Sequence, residues 1–227
     1  MKTDPNGPAD TRNMGVVHSA MRRDLKRLRV ALQSDPDAAR RQALADHVDW
    51  MMNFLHEHHG HEDSGLYPLV RQRNRALDEL LNAMDAEHKR VNPAVEALQK
   101  AAAGYRADGI PGPLLSALDR LESVLLPHLE HEEREMMPLV SQTISHQDWL
   151  NWEDSFLSLM TKKELADQGH WLLDGVDPDT YAYFAKILPP IPRFIVLRFM
   201  GGPYQRKRTA LWAGTGAESI PSQPLPA

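Results

Sequence analysis

The sequence predicts an all-α protein, an antiparallel four-helix bundle with a C-terminal helical extension, and three observations predict it. Helix-stop signals cut residues 15–141 into four segments of helical length joined by short connections. Each segment carries apolar residues at alternating spacings of three and four, the pattern of a helix facing other helices. An internal repeat with an offset of 70 residues pairs the segments two by two.

Residues 1–14 read as a flexible lead, and MKTDPNGPADTRN lacks the apolar run of a secretory signal. The first helix runs from about Gly15 to Gln33, with a seam of His18, Met21, Leu25, Leu28 and Leu32. Ser34-Asp35-Pro36 stops it and starts the second, which extends to about Arg73 along Leu44, Val48, Met51, Leu55, His58, Glu62, Gly65 and Leu69. The third spans about Arg75 to Ala103, ends at Gly104, and presents Leu77, Leu81, Met84, His88, Val91, Val95 and Leu98. After a Gly/Pro turn at 108–113 the fourth, about Leu114 to Gln142, presents Leu114, Leu118, Leu121, Leu125, His128, Glu132, Glu135 and Leu139. Pro93 and Pro127 fall inside helical pattern beside His88 and His128, where each removes a helix hydrogen bond.

Residues 142–204 form a less regular annex. An amphipathic helix is expected over Asp148 to Leu165 through Trp149, Trp152, Phe156, Leu157 and Met160, followed by a turn and a short helix before a proline cluster. Its apolar content suits a cover that limits solvent access to the bundle interior. The stretch IPRFIVLRFMGGPYQRKR, apolar then basic, suits packing on the bundle better than contact with a membrane surface. Residues 205–227 read as a disordered tail.

Composition narrows the chemistry. Of 227 residues 42% are hydrophobic, enough for a real core, and the net charge of −5 gives no global basic surface for nucleic acid. The sequence has no cysteine, so disulfides, thiolate metal sites, iron–sulfur clusters and cysteine nucleophiles are excluded. No run approaches the roughly 20 apolar residues that span a bilayer, and a cytoplasmic location is the simplest expectation.

The polar residues in the seams recur with the repeat: His18 with His88, His58 with His128, His61 with His131, Glu62 with Glu132. At about 100° per residue, His58 and Glu62 point the same way one turn apart, as do His128 and Glu132. Four imidazoles and two carboxylates are thus directed into one interior layer. Burying two carboxylates among aliphatic side chains without a cation costs several kcal/mol per charge, and a metal centre compensates. Mixed nitrogen and oxygen ligands suit iron, manganese or zinc, and six ligands from four helices favour two metals.

The order His18, His58-x-x-x-Glu62, His88, His128-x-x-x-Glu132 resembles the signature of the hemerythrin family's HHE cation-binding domain, and FLHEHHGHEDSGLYPLV and LLPHLEHEEREMMPLV are similar to its ligand helices. The resemblance covers about residues 15–141. It implies an up-and-down bundle and two non-heme iron ions bridged by oxo or hydroxo groups and by carboxylates, with His18, His58, His88 and His128 holding the irons and Glu62 and Glu132 bridging them. Family members bind dioxygen, sense oxygen or iron, bind nitric oxide or break down peroxide. The chain departs from the oxygen carriers, whose third helix has a further histidine; one turn either side of His88 stand Met84 and Asn92. An exchangeable position on one iron is therefore expected, which favours peroxide or nitric oxide chemistry over reversible oxygen carriage.

His61 and His131 lean toward the core and are candidate acid/base groups behind the ligands, or surface histidines. His47, His56, His59, His146 and His170 lack repeat partners and read as solvated, as does the acidic run around Glu132, with Glu130, Glu133 and Glu135. Two functions follow: a di-iron protein with peroxidase- or catalase-like activity, or a non-enzymatic sensor or iron-binding module in which occupancy changes the packing of the annex. A plain structural bundle is the third reading.

Overall fold

The computed structural model describes residues 4–187 and 201–225. Four long helical columns make the bundle: α1 (Arg12–Leu32), α2 (Ala38–His61) continued by α3 (Tyr67–Arg73), α4 (Asp78–Asp108), and α5 (Pro111–His131) continued by α6 (Met137–Thr143). α5 packs on α1 and α4, and α4 on α2, so neighbours run antiparallel through short connections. No helix among the described residues is long and apolar enough to cross a membrane.

Asp37 caps α2 by accepting from Arg40 N at 2.8 Å. α4 runs on through Gly104 to Asp108, and its stop is Gly109, whose φ of 73° is the left-handed value glycine tolerates. Ala102 and Tyr105, buried beyond the expected end, explain the extra turn. Pro93 and Pro127 sit exposed within unbroken helices.

The columns of the two ligand helices are not uniform. A π-helical turn over Glu62–Leu66 joins α2 to α3, and another over Glu132–Met136 joins α5 to α6, again 70 residues apart. Each π turn holds one residue more than an α turn, so the face below it rotates. The expected seam positions Gly65, Leu69, Glu135 and Leu139 therefore give way to Leu66, Tyr67, Val70, Met136, Met137 and Val140 as the buried set. Those residues, with Met84, Leu81 and Met14, form one apolar cluster; Leu25, Leu28, Leu44, Leu55, Leu118 and Leu125 belong to a second, larger one.

The annex is helical and docked. The single helix expected over 148–165 is two, α7 (His146–Leu157) and α8 (Lys162–Leu172), because Thr161 and Glu164 form a capping box that starts a new helix. α9 (Pro178–Ile187) follows a turn at Gly175, and α10 (Gly201–Trp212) lies on α2 and α8. The tail expected to be disordered is ordered as far as residue 225. Leu211, Trp212 and Ala217 are buried in the larger core cluster, and Arg27 donates to the Ile220 carbonyl at 2.6 Å. The lead is tied down as well: Ala9 is buried and its N–H donates to the Ser141 carbonyl, while His146 N donates to the Gly7 carbonyl. Residues 191–200 of the apolar-then-basic stretch lie outside the described residues. Of its remainder, Tyr204 is buried and hydrogen-bonds Asp174.

α1 carries an unusual load of buried charge facing the annex. Asp24 accepts from Arg23 Nε at 2.7 Å, His47 Nε2 at 2.7 Å and Trp171 Nε1 at 2.8 Å. Arg23 also donates to the Trp171 and Asp174 carbonyls, and Arg27 pairs with Asp174. These neighbours hold the Asp24 carboxyl far below the usual range despite its burial. His47, expected in solvent, is thus a buried member of this clasp.

Candidate metal centre

Between the two apolar clusters lies a polar layer in which all six expected ligands meet. His18, His88, His128, Glu62 and Glu132 are at most 2% exposed, and His58 keeps 11% of its side chain exposed. The residues sort into two groups. His18 Nε2 and His58 Nε2 are 3.3 Å apart. His88 and His128 stand edge to face with ring centroids 4.7 Å apart.

The two carboxylates lie between these groups. Glu62 turns Oε1 to His58 Nε2 at 3.2 Å and Oε2 to His88 Nε2 at 3.7 Å. Glu132 Oε2 is 3.4 Å from His18 Nε2 and 3.9 Å from His128 Nε2. Each carboxylate therefore faces both groups at once, the placement a bridge between two cations requires. Tyr67, at the start of α3, donates its hydroxyl to Glu132 Oε1 at 3.2 Å.

Outer partners fix the rings. His18 Nδ1 donates to Glu133 Oε1 at 2.9 Å and His88 Nδ1 donates to Asp63 Oδ1 at 2.8 Å, two contacts related by the same 70-residue offset. His128 Nδ1 donates to Glu87 Oε2 at 3.0 Å. A carboxylate only accepts, so these three rings carry their proton on Nδ1 and turn a bare Nε2 lone pair inward. Glu133, expected in solvent, is instead half-buried and also pairs with Arg22 at 2.7 Å. Its place one residue past Glu132, repeated by Asp63 past Glu62, was the available signal.

Glu62 Oε1 and Oε2, Glu132 Oε2, His88 Nε2 and His128 Nε2 have no aligned hydrogen-bond partner among the described residues. Such orphaned buried groups are costly unless something else satisfies them. Burial and mutual repulsion push the Glu62 carboxyl well above its ordinary range, and burial pushes Glu132 up to about 7. Burial holds the His18 and His58 imidazoles well below their usual range and His128 down to about 4, so these rings are neutral at physiological pH. Neutral imidazoles, convergent carboxylates and orphaned lone pairs are the donor set for a cation pair, and the residues present fit it.

His131 and His61 fare differently. His131 Nδ1 donates to Glu87 Oε1 at 3.0 Å, so it touches the partner of His128 and not the inner layer. His61 stacks on Phe156 at 4.3 Å, outside the layer. His59, expected in solvent, is buried: it lies 4.0 Å from His88 in a parallel stack, and the ligand atoms of His59, His88 and His128 all fall within 4.8 Å of one another. His56 is exposed as expected; His146 is half-buried and accepts from Asp10 N, and His170 stacks with Tyr204.

The layer has one opening, at His58. Beside it α7 and α8 close an apolar chamber of about 110 Å³ lined by Val17, Phe54, Trp149, Trp152, Phe156 and Leu157, with Glu57, His61 and Glu153 at its polar edge. Glu153 accepts from Asn13 at 2.9 Å, and its burial raises its carboxyl. Trp152 seals the first π turn: its Nε1 donates to the His61 carbonyl at 3.1 Å, and a Cβ at Gly65 would stand 2.8 Å from its ring.

The family model of the hemerythrin HHE cation-binding domain matches residues 10–140. None of the curated proteins or solved structures compared with the chain matches it.

Proposed function

Because the chain belongs to the hemerythrin family of HHE cation-binding domains, we propose that its histidine/glutamate layer holds two iron ions and reacts there with a small oxidant or diatomic molecule: hydrogen peroxide, dioxygen or nitric oxide. The observation that carries this reading is the placement of Glu62 and Glu132, each facing both histidine groups with orphaned oxygens. His18 and His58 would hold one ion, His88 and His128 the other. Iron in such a setting supplies Lewis acidity and one-electron redox change.

The chain's own residues do the rest. Glu133, Asp63 and Glu87 fix three imidazole tautomers, so the inward nitrogens need no reorganisation. The aromatic wall of the annex excludes bulk water from the chamber at His58 and admits a molecule of few atoms. Tyr67 supplies a hydroxyl proton beside Glu132. His61 and Glu153, at the chamber's polar edge, are placed to hold or pass a proton for a molecule within it. The contact of Trp152 and Phe156 with His61, three residues from His58, favours the sensor reading as the second, since a molecule held at His58 presses on the annex.

The deciding experiment is metal content per chain on protein purified without added metal, with an optical spectrum of the same sample. About two irons per chain, and peroxide consumption faster than free iron, support the catalytic reading. A reversible spectral change with dioxygen or nitric oxide but no turnover supports the sensor. One zinc, or no metal after anaerobic loading with ferrous iron, overturns both.

A further inference from the structure

The 70-residue repeat that pairs the ligands breaks at one buried position. His59 occupies it in the first half and Leu129 in the second, and both are almost wholly out of solvent. Leu129 shows that the fold packs an aliphatic side chain there at no cost in burial. His59 instead places an imidazole 4.0 Å from His88 and 5.0 Å from His128, between ring centroids, and its Nε2 has no hydrogen-bond partner among the described residues. A buried donor or acceptor left unmade costs roughly 1–3 kcal/mol. Nothing in the packing compensates for that, whereas a cation shared with His88 and His128 does.

We propose that His59 is a fifth histidine ligand, supplied from the second helix, and that it makes the two cation positions unequal. This rests on the di-iron reading above. One position then has three nitrogens, from His59, His88 and His128; the other has two, from His18 and His58. The position with fewer protein ligands is the one whose His58 lines the aromatic chamber. An incoming small molecule therefore meets the exchangeable site directly, and His59 closes the far side. A one-residue step along a helix turns a side chain by about 100°, which is how His58 and His59 serve opposite groups.

The test uses the full chain loaded anaerobically with ferrous iron. Imidazoles bound through Nε2 keep an exchangeable Nδ1–H, whose proton resonance is strongly shifted by the paramagnetic ion, so the number of such resonances counts bound histidines. The proposal expects five in the wild type and four in His59→Leu, with at least tenfold weaker retention of one of the two irons in that variant. His56→Ala, at an exposed neighbour, should keep five. Two irons with four shifted resonances in the wild type overturn the assignment and leave the di-iron reading intact. A wild type that takes up no iron overturns both. Should His59→Leu fail to fold, the wild-type count decides alone.

Discussion

The two halves of the bundle share a scaffold and differ in what stands behind it. Residues 58–73 and 128–143 repeat the same helix, π turn and helix, and both supply a histidine, a glutamate and an outer carboxylate, Asp63 or Glu133. The departures all point one way. Glu87 braces His128, but its counterpart beside His18 is Val17, an apolar residue lining the chamber. Gly65 lets Trp152 approach the first π turn; its counterpart, Glu135, is exposed. Repetition therefore builds a symmetric bridge, and a handful of unpaired positions give it a braced side and an open side.

Five outcomes break or sharpen that contrast. The largest concerns the clasp that holds the annex over the open side. Asp24→Ala leaves Arg23 and His47 without their shared buried partner and should cost about 3–5 kcal/mol, read by chemical denaturation. Next, Glu62→Gln and Glu132→Gln should behave alike because both span the two histidine groups. Each should weaken iron retention more than about 100-fold, beyond the range for outer partners. In the metal-free protein each should raise the melting temperature by removing a buried carboxyl. Unequal losses of iron would show that one carboxylate serves a single ion.

Glu87→Gln should reduce iron affinity about 10–100-fold in chelator competition, while Val17→Leu leaves it unchanged; equal effects would refute a one-sided brace. The fourth outcome is a pH dependence. Glu132 titrates near 7 in the metal-free fold against an ordinary 4.5, so its neutral form is favoured and its contribution to stability falls as pH rises through 7. His128, depressed to about 4, contributes oppositely: its share is present above the ordinary 6.5 and is lost as pH falls toward 4. Iron loading should accordingly release more protons at pH 6 than at pH 8, measured by calorimetry in buffers of different protonation enthalpy. The smallest is Gly65→Ala, which displaces the Trp152 ring and should speed iron loss to chelator a few-fold without changing its final extent.

The sequence made the bundle, its register above the site and the six inner residues legible, because heptad-like spacing and the 70-residue repeat both report on the same buried face. It did not reveal the π turns, since MMPLV and GLYPLV are apolar in either phase. His59, Glu87 and Glu133 were missed for a related reason. A seam one residue wide describes a two-helix contact, whereas a helix in a bundle buries a stripe of at least 100° and so hides the residues flanking the seam. Order at the C-terminus escaped because its anchors, Trp212, Ala217 and the Ile220 carbonyl, are single residues that compensate buried arginines of α1 far away in sequence.

The π turns also set how the chain tolerates length changes. Each ligand helix is two helices spliced out of phase, with the ligands above the splice and Tyr67, Val70 and Leu66, or Met136, Met137 and Val140, below it. Deleting Ser64, an exposed residue that touches no ligand, would remove the splice and swing everything after it by about 100°. Tyr67 would leave Glu132, and Leu69 would take the place of Val70 in the core. In this chain a missing serine is a rotation error, and its damage is done several residues downstream of the gap.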